Sequence, residues 1–460
     1  MNLPRVSVVR VDLAQLVKNK IDIMTIAELH KLFLNSGKVT TDSRDIPAGS
    51  IFFALKGDNF DGNNFVLDAL GKGAAFAVAD DASLEGKDER IIITKDVLKT
   101  LQDLARFHRE SLSIPVVGLT GTNGKTTTKE LISCVLSAKY KVSYTKGNLN
   151  NHIGVPLTIL RIEKDSEIAV IEMGASGPGE IELLASIARP SHALITNVGK
   201  AHLEGFGSFE GVKKTKGELY DFIKSNGGIV FYNADNSHLC QMLQMRGELN
   251  KIAYGLAFEG YKLAIAGEEN PFVALTAPDG TLIKSNLIGG YNADNIITAL
   301  AVGREFGISC AEGAKMVESY VPSNNRSQLV KGLRNTIIID AYNANPTSMR
   351  ASLENFITFN GDNKCLVIGD MLELGEVSLK EHSDILTLIK SLDPQYVFFV
   401  GKEFKRAAAK IGFDVVHAEF FDNSDVLNQR LVDLNLSSKT FLIKGSRGTK
   451  LEKVLDTLKS

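Results

Sequence analysis

Short apolar runs alternate with amphipathic stretches along most of this chain, and that alternation predicts an α/β fold. Residues 50–55 and 75–79 are apolar runs of strand length, and residues 65–72 have helical spacing, which together predict a small α/β domain. From residue 114 to about residue 321, strand-length runs recur between helical patterns, which predicts a parallel sheet covered on both faces. The clearest of these runs are residues 168–171, 193–196 and 229–232.

A second large sheet is predicted toward the carboxyl end of the chain. Residues 322–327 (Pro-Ser-Asn-Asn-Arg-Ser) are rich in loop formers and predict a linker. Beyond them, four apolar runs are each followed by a loop and a helical pattern, at residues 336–340, 365–369, 396–400 and 440–444. This arrangement predicts a second doubly wound sheet.

The segment between residues 114 and 138 has the order strand, glycine loop, helix. Residues 118–127 read Gly-Leu-Thr-Gly-Thr-Asn-Gly-Lys-Thr-Thr, which predicts a phosphate-binding loop. Backbone N–H groups would face the anion, Lys125 would reach the outer phosphates, and Thr126 would hold Mg²⁺. The candidate nucleotide-binding residues are Gly121, Thr122, Asn123, Gly124, Lys125, Thr126 and Thr127. Leu119 stands where the usual pattern has glycine, and the alternative is a glycine turn with a surface lysine.

Composition narrows the class of protein. With 460 residues, 44% hydrophobic and 23% charged, the chain has the make-up of a soluble globular protein of about three domains. A formal net charge of −2 without a long basic run argues against a nucleic-acid partner. No apolar segment reaches membrane-spanning length, and Arg5, Arg10 and Asp12 argue against a signal peptide. Four widely separated cysteines fit neither a zinc site nor a disulfide framework, so we expect buried thiols in a cytoplasmic protein.

We therefore predict three domains. They are a small N-terminal α/β domain over residues 1–110, a central P-loop ATPase-like parallel-sheet domain over residues 111–324, and a C-terminal Rossmann-like doubly wound domain over residues 325–460. In open α/β sheets, ligands bind outside the carboxyl ends of the strands. The polar residues at those ends are Glu172, Asn197, His202, Asp340 and Lys444. If the sheets face one another, these residues line one cleft between domains.

Several of these candidates also have a purely structural interpretation. Glu172 offers a carboxylate to Mg²⁺, or it caps the turn at residues 173–174. A single histidine in a glycine-containing loop, as at His202, is more often structural, and Lys216 taken alone reads as a solvated surface lysine.

Two asparagines and one arginine are similarly open to two interpretations. Asn292 and Asn295 precede a helix predicted over residues 296–306, and their amides can hydrogen-bond an adenine edge. Alternatively, Asn292 or Asp294 caps that helix. Arg326 in the linker reaches phosphates when the domains close, or it is an exposed hinge residue.

Taken together, these segments resemble the Mur ligase family, and nearly the whole chain takes part in the resemblance. Residues 120–127 resemble the ATP loop of that family, including its displaced glycine. Residues 147–157 (Gly-Asn-Leu-Asn-Asn-His-Ile-Gly-Val-Pro-Leu) and 201–208 (Ala-His-Leu-Glu-Gly-Phe-Gly-Ser) resemble two further family segments. Residues 340–349 (Asp-Ala-Tyr-Asn-Ala-Asn-Pro-Thr-Ser-Met) and 369–375 (Gly-Asp-Met-Leu-Glu-Leu-Gly) resemble the branch that adds the dipeptide D-alanyl-D-alanine. Residues 1–23 precede the usual family start and are a possible extension.

The resemblance implies roles for residues that composition alone could not single out. The implied catalytic residues are Lys125, His202 and Lys216, the last matching a carbamylated lysine of the family. The implied partners of Mg²⁺ are Thr126, Glu172, His202 and Lys216, and the implied ATP contacts are Asn292, Asn295, Arg326 and Asp340. Residues 42–44 and 53–57 resemble the uridine-nucleotide site. The candidate substrate contacts are Ser43, Arg44, Asn151, Tyr342, Asn345, Ser348, Lys444, Ser446 and Arg447.

The activity that the resemblance implies is amide ligation driven by ATP, with Mg²⁺ as cofactor. The expected substrates are UDP-N-acetylmuramoyl-tripeptide and D-alanyl-D-alanine, joined through an acyl phosphate in peptidoglycan precursor synthesis. We expect a monomer without a nucleic-acid or membrane partner. The alternatives are a family ligase that extends folate with glutamate, and a nucleotide-driven switch or motor that carries a phosphate loop.

Overall fold

The structure is a computed structural model. It describes residues 24–264, 271–323, 325–358 and 363–460. The possible extension at residues 1–23 lies outside the described residues, as does Asn324 of the predicted linker.

The chain forms two compact units. Of the described residues, the first contains those up to Ser113 together with His152–Ile162, and the second contains those of Ile114–Asn151 and Glu163–Ser460. Among the described residues, no helix has both the length and the apolar content that crossing a membrane requires.

The strands are numbered in chain order. They are β1 (Val39–Thr40), β2 (Ile51–Phe53), β3 (Lys56–Gly57), β4 (Phe60–Asp61), β5 (Phe76–Ala79), β6 (Ile91–Ile93), β7 (Val116–Thr120), β8 (Val142–Tyr144), β9 (Ile168–Glu172), β10 (His192–Ile195), β11 (Ile229–Asn233), β12 (Asn250–Tyr254), β13 (Lys262–Leu263), β14 (Phe272–Thr276), β15 (Leu282–Ile288), β16 (Gln328–Lys331), β17 (Thr336–Ile339), β18 (Lys364–Gly369), β19 (Tyr396–Val400), β20 (Ala418–Phe421) and β21 (Thr440–Lys444).

The α-helices are numbered in the same way. They are α1 (Ile26–Ser36), α2 (Val66–Gly71), α3 (Val97–Ser111), α4 (Lys125–Leu136), α5 (Gly154–Ile159), α6 (Glu180–Ala188), α7 (Leu203–Phe206), α8 (Phe209–Asn226), α9 (Ser237–Gln244), α10 (Leu256–Glu259), α11 (Asn292–Glu305), α12 (Cys310–Ser319), α13 (Pro346–Ile357), α14 (Ser378–Leu392), α15 (Lys402–Ile411), α16 (Ser424–Leu434) and α17 (Leu455–Lys459). Short 3-10 helices cover Gly62–Phe65, Ala82–Leu84, Gly375–Val377, Arg447–Thr449 and Leu451–Val454.

The first unit is built on a four-stranded parallel sheet in the order β1-β2-β5-β6. All three residues of β2 are buried, as expected for a strand covered on both faces. A capping box between Thr25 and Glu28 begins α1, which packs on α3. In that interface the His30 Nε2 and His108 Nδ1 atoms lie 3.0 Å apart, and both residues are buried.

The second unit contains two six-stranded sheets, and the first of these is parallel throughout, in the order β12-β11-β10-β7-β9-β8. The strand order reverses at β7, so the carboxyl end of β7 is the switch point where such sheets bind ligands. Leu131 and Val135 of α4 share a core with Ile296 and Leu300 of α11. The antiparallel sheet β13-β14-β15 follows β12 in the chain.

The other six-stranded sheet has the order β16-β17-β21-β18-β19-β20. Only the edge strand β16 is antiparallel to its neighbour. Helices cover both faces of this sheet and give two separate apolar cores. The carboxyl ends of β17, β21 and β18 are adjacent and carry Asp340, Lys444 and Asp370.

The predicted α/β class with parallel sheets is confirmed, and the three predicted domain boundaries stay a prediction. The antiparallel strands β13–β15 and the edge strand β16 were not predicted. Burial alternates along β15 and no residue of β16 is fully buried, so neither strand shows a continuous apolar run. The helix predicted from residue 296 begins four residues earlier, at Asn292. Only Cys365 of the four cysteines is buried, so the expectation of buried thiols was wrong for the other three.

Candidate functional site

The predicted phosphate loop lies between β7 and α4, at the switch point of its sheet. Gly121 and Gly124 have φ angles of 151° and 76°, which favour glycine. A Cβ atom at Gly124 would also lie 2.7 Å from Asn295 Oδ1. A Cβ atom at Gly121 would lie 1.9 Å from Thr196 Oγ1, so both glycines are required by backbone conformation and by a close approach.

Residues that follow β10 hold this loop in place. The Asn123 N–H donates to Asn197 Oδ1 over 3.0 Å, and the Asn123 carbonyl accepts from Thr196 Oγ1 at 2.7 Å and Asn197 Nδ2 at 3.0 Å. The Thr122 N–H donates to the Asn197 carbonyl over 2.9 Å. Asn197 was a candidate because it follows a strand end, whereas Thr196 was missed because it was counted within that strand.

Lys125 is the first residue of α4, and its ammonium group turns back toward the loop. Its Nζ atom donates to the carbonyls of Gly121 at 2.7 Å and Thr122 at 3.2 Å. Burial lowers the pKa of Lys125. The geometry places a cation beside the backbone groups that the motif predicts will face a phosphate.

Glu172 is the last residue of β9 and is 1% exposed. Its Oε1 atom accepts hydrogen bonds from Asn150 Nδ2 at 2.7 Å and from Thr126 Oγ1 at 3.3 Å. The Gly174 N–H bonds the Asn150 carbonyl at 2.7 Å, so that backbone contact, and not the Glu172 side chain, holds the turn. Asn150 was not among the residues predicted for the site, although it lies within the family segment at residues 147–157.

The second carboxylate oxygen of Glu172 faces Lys129, which was not among the residues predicted for the site. Glu172 Oε2 and Lys129 Nζ lie 3.8 Å apart, and each is buried without a hydrogen-bond partner. Lys129 Nζ is also 3.8 Å from Glu130 Oε1. A lysine one helical turn after Lys125 carries no sequence signal that separates it from a surface lysine.

The pair formed by Thr126 and Glu172 fits a magnesium ion. Mg²⁺ prefers oxygen ligands and binds through one or two carboxylates with phosphate oxygens and several waters. The hydroxyl of Thr126 and the unpartnered Oε2 atom of Glu172 are such oxygens. Among the described residues, no three His, Cys, Asp or Glu side chains form a metal cluster.

His202 and Lys216 lie in the same unit as the phosphate loop. His202 has a left-handed backbone with φ 49°, and its Nδ1 atom contacts Glu373 Oε2. Lys216 of α8 is 2% exposed, and its Nζ atom lies 5.6 Å from the centre of the Phe206 ring. Burial holds the pKa of Lys216 well below its usual range, and the charge of Lys125 acts in the same direction. The interpretation of Lys216 as a solvated surface lysine was wrong.

Asn292 and Asn295 are buried in the first turn of α11 and form a chain of hydrogen bonds. Thr128 Oγ1 donates to Asn295 Oδ1 at 2.9 Å, and Asn295 Nδ2 donates to Asn292 Oδ1 at 2.8 Å. Asn292 Nδ2 donates to the Ile288 carbonyl at 2.7 Å. Because no side chain caps α11, the capping interpretation was wrong, and an adenine contact stays a prediction.

The predicted residues of the last sheet fall into two groups. Arg326 stacks on Tyr342, with its guanidinium carbon 3.6 Å from the ring centre, and that of Arg447 lies 5.7 Å from the same ring. Asp340 Oδ2 accepts from Lys444 Nζ and from Ser352 Oγ, each at 2.7 Å. Lys444 is 1% exposed, so its ammonium group is committed to this buried ion pair.

The candidate substrate residues Asn345, Ser348 and Ser446 make hydrogen bonds with the loops that follow the strands of this sheet. Asn345 begins α13, where its Oδ1 atom accepts the Ser348 N–H at 2.9 Å and Ser348 Oγ accepts the Asn345 N–H at 3.1 Å. Ser446 Oγ accepts the Leu372 N–H at 3.0 Å and donates to the Ala344 carbonyl at 3.3 Å. The Asn345 amide and the two serine hydroxyl groups thus shape the loops at the ends of β17, β18 and β21.

Ser43 and Arg44 belong to the first unit. Ser43 is buried and its carbonyl accepts from Lys72 Nζ at 3.0 Å. Arg44 is exposed and forms a 2.7 Å ion pair with Asp42, which lowers the pKa of Asp42 to about 2. Asn151, near the end of the first segment of the second unit, is exposed.

Comparison with known proteins identifies the family to which this chain belongs. Residues 37–109 match the model of the Mur ligase family catalytic domain, residues 119–303 the Mur ligase middle domain, and residues 325–447 the Mur ligase glutamate ligase domain. The UDP-N-acetylmuramoyl-tripeptide–D-alanyl-D-alanine ligase of Bacillus subtilis is 36% identical over 91% of this chain and 92% of its own length. The chain belongs to the Mur ligase family.

Other Mur ligases agree with this assignment over similar lengths. The Escherichia coli ligase of the same name is 32% identical over 94% of this chain and 95% of its own. The crystal structure of the MurF ligase from Thermotoga maritima in complex with ADP superposes with a TM-score of 0.81 at 30% identity. It covers 93% of this chain and 98% of its own. The family resemblance inferred from the sequence motifs is confirmed.

Proposed function

We propose that this chain is an ATP-dependent, ADP-forming amide ligase that joins D-alanyl-D-alanine to UDP-N-acetylmuramoyl-tripeptide in peptidoglycan precursor synthesis. The observation that carries the proposal is Lys125 in the first turn of α4, with Thr126 beside the strand-end carboxylate of Glu172. This arrangement suits phosphoryl transfer, and the full-length similarity to relatives of that name supplies the substrates.

The reaction needs two steps that share one site. A terminal carboxylate oxygen of the tripeptide attacks the γ-phosphorus of ATP, and ADP leaves with the electrons of the broken bond. The amine of D-alanyl-D-alanine then attacks the acyl carbon, loses a proton and expels inorganic phosphate. Catalysis of this kind depends mostly on positioning and on stabilising charge at the transferring phosphoryl group.

The phosphate loop supports the first step. The backbone N–H groups of residues 121–127 and the N-terminus of α4 favour an anion, and Lys125 adds a fixed cation. Because Lys125 is partly withdrawn from water, its charge acts on a phosphate more strongly than an exposed ammonium would. Asn292, Asn295, Arg326 and Asp340 are the proposed contacts to the rest of the nucleotide.

Mg²⁺ and a modified lysine complete the proposed site. The proposed partners of Mg²⁺ are Thr126, Glu172, His202 and Lys216. Bound Mg²⁺ would neutralise part of the phosphate charge. A neutral amine is the form of lysine that reacts with CO₂, and burial favours the neutral form of Lys216. The resulting carbamate would replace an ammonium group that repels a divalent cation with an anion that attracts it.

A substrate-dependence assay tests the function. Phosphate release and product mass are measured with ATP, each tripeptide (ending in lysine or in diaminopimelate) and D-alanyl-D-alanine, omitting one component at a time. We expect release only when all three are present, and a product heavier by the dipeptide less one water. Lys125→Ala, which removes the loop cation, serves as the inactive control.

The alternatives give different results in the same assay. A switch or motor hydrolyses ATP without the nucleotide peptide and the dipeptide. A folate-extending ligase consumes ATP when a folate and glutamate are supplied instead. ATP consumption that D-alanyl-D-alanine does not change would contradict the proposal.

A further inference from the structure

Asn345 makes a contact with the phosphate loop that its predicted role as a substrate contact does not explain. Its Nδ2 atom lies 2.7 Å from Asn123 Oδ1, the side-chain oxygen at the middle of the loop. The two residues are 222 positions apart in the chain, and both belong to the second unit. The contact therefore joins the end of β17, through its following loop, to the end of β7.

The orientation of the Asn345 amide is fixed by its other half. Oδ1 of Asn345 accepts the Ser348 N–H at 2.9 Å and so caps α13. An N–H group can bond only the oxygen of the amide, so the nitrogen must point the other way, toward Asn123. The donor to the phosphate loop is thus set by a helix cap and does not depend on a mobile side chain.

Asn123 is held in the loop by hydrogen bonds with several other residues. Its N–H and carbonyl are bonded by Thr196 and Asn197 at 2.7–3.0 Å. The bond from Asn345 adds its side chain to that set. Removing the donor leaves the backbone bonds of Asn123 in place but takes away the side-chain bond that adds to them, so a single substitution can weaken the hold on the loop without abolishing it.

Two further contacts lie on the segment after β10 that supports the loop. Lys200 Nζ donates to Glu381 Oε1 of α14 at 2.6 Å, and His202 contacts Glu373. A Cβ atom at Gly199 would lie 3.0 Å from Thr347 Oγ1, which is part of the first turn of α13. The last sheet of the second unit therefore holds both the phosphate loop and the segment on which the loop rests.

We propose that Asn345 is a positioning residue for the nucleotide site, which holds Asn123 and thereby keeps the phosphate loop in its binding conformation. This inference rests on the proposed function only in taking the ligand to be an adenine nucleotide. The hydrogen bond from Asn345 orders the loop before the nucleotide binds. Because binding then does not have to order the loop, the affinity for the nucleotide is higher. D-Alanyl-D-alanine does not need to touch Asn345 for this effect.

The test uses Asn345→Ser in the full chain. Serine is as good a helix cap as asparagine, but its hydroxyl does not extend to Asn123. We expect the dissociation constant for ADP to rise about fivefold, the effect of one lost hydrogen bond, with a matching rise in KM for ATP. The KM for D-alanyl-D-alanine should not change.

Asn423→Ser is the matched control. Asn423 caps α16 through the same oxygen, with bonds to the N–H groups of Asp425 and Val426 at 3.0 and 3.1 Å, and it lies outside the site. Both variants should melt at closely similar temperatures, and Asn423→Ser should bind ADP like the wild type.

Two results would overturn the proposal. One is an unchanged ADP dissociation constant in Asn345→Ser. The other is a change confined to the KM for D-alanyl-D-alanine, which would restore the substrate contact predicted from the sequence. A double-mutant cycle with Asn123→Ser adds a further check, since purely additive effects on ADP binding would show that the two side chains act separately.

The ADP-binding experiment can contradict the role of Asn345 independently of whether the proposed ligase function is correct. ADP binding is measured by calorimetry without peptide substrates, so it remains informative even if the wild-type chain does not ligate the dipeptide. A wild type that binds ADP but lacks ligase activity would contradict the function and leave the positioning role of Asn345 open to the same comparison.

Discussion

Lys125, Lys129 and Lys216 are three lysines withdrawn from water in one part of the second unit, and burial lowers the pKa of each. An ammonium group in a poorly hydrated site must find counter-charges or lose its proton. Lys129 has two carboxylates nearby, and Lys125 has carbonyl oxygens. Among the described residues, no ion pair reaches Lys216, which makes it the best suited of the three to react as a neutral amine.

Replacement of Lys216 tests the proposed carbamate. Lys216→Ala should lose ligase activity and regain part of it when a short carboxylate such as formate or acetate is added, because the anion would occupy the vacated space. Lys214→Ala removes an exposed lysine from the same helix and should keep full activity without rescue. Full activity of Lys216→Ala without any additive would refute the assignment.

Replacement of Lys129 tests its role as the counter-charge of Glu172 and Glu130. Lys129→Met leaves Glu172 and Glu130 without their shared cation, and loss of one partner from a buried ion pair costs on the order of 3 kcal/mol. We expect the free energy of unfolding in urea to fall by about that amount. Lys139→Met, at an exposed lysine just beyond α4, should change it by less than about 0.5 kcal/mol. Equal stability of the two variants would show that Lys129 is not needed as a counter-charge.

At the level of elements, the phosphate loop depends on backbone conformations that only glycine adopts without strain. Gly124 combines a φ of 76° with a side-chain oxygen in the space where a Cβ would lie. Gly227, which ends α8, has a φ of 71° and open space around it. The two positions therefore separate the cost of conformation from the cost of a collision.

Alanine substitutions at these two glycines should differ in whether they weaken ADP binding as well as stability. Gly227→Ala should lower the free energy of unfolding by about 1 kcal/mol, the cost of a left-handed alanine, and leave ADP binding unchanged. Gly124→Ala should cost more and should also weaken ADP binding, because it displaces Asn295 as well as the loop. Normal ADP affinity in Gly124→Ala would contradict the assigned geometry.

At the scale of the whole molecule, burial lowers the pKa of five histidines. They are His30, His108, His192, His202 and His382. Burial, together with the neighbouring His30, lowers the pKa of His108 from 6.5 to about 4. The unfolded chain therefore binds protons near pH 6.5 that the folded chain does not accept.

This difference predicts loss of stability in mild acid. The contribution of the histidines is fully present above about pH 6.5 and is lost as the pH falls toward about 4. Asp42 and Asp88, with pKa values of about 2, lose their contribution only at lower pH. Urea unfolding at pH 7.5, 6.5, 5.5 and 4.5 measures the effect, and a stability independent of pH over this range would contradict it.

Single histidine variants assign the acid effect to particular sites. His108→Gln removes one buried imidazole, so its stability should fall less steeply with decreasing pH than that of the wild type. His238→Gln removes an exposed imidazole and should keep the wild-type dependence. The slope, and not the stability at a single pH, is the quantity to compare, since His108→Gln also disturbs the contact with His30.

The strands that could be predicted from the sequence are those that pack against apolar side chains on both faces of their sheet. β7 and β9 are buried along their whole length, and all but the last residue of each strand form a continuous apolar run in the sequence. β15 and β16 face the core on one side at most, and their pattern does not stand out from a loop. The beginning of α11 was placed too late because its first turn contains two asparagines and an aspartate, which are also common in loops.

Those parts of the site whose interacting groups lie within a few residues of one another in the chain could be predicted from the sequence. Spacing of glycines, Lys125 and Thr126 along one strand, loop and helix identifies a phosphate loop because the interacting groups are neighbours in the chain. Only the tertiary structure decided that Glu172 lies between Asn150 and Lys129, that Lys216 is buried, and that Asn345 donates to Asn123. These contacts join strands and helices from distant parts of the chain. Their geometry depends on how the sheets and helices pack, and a local pattern of residue types does not specify that packing.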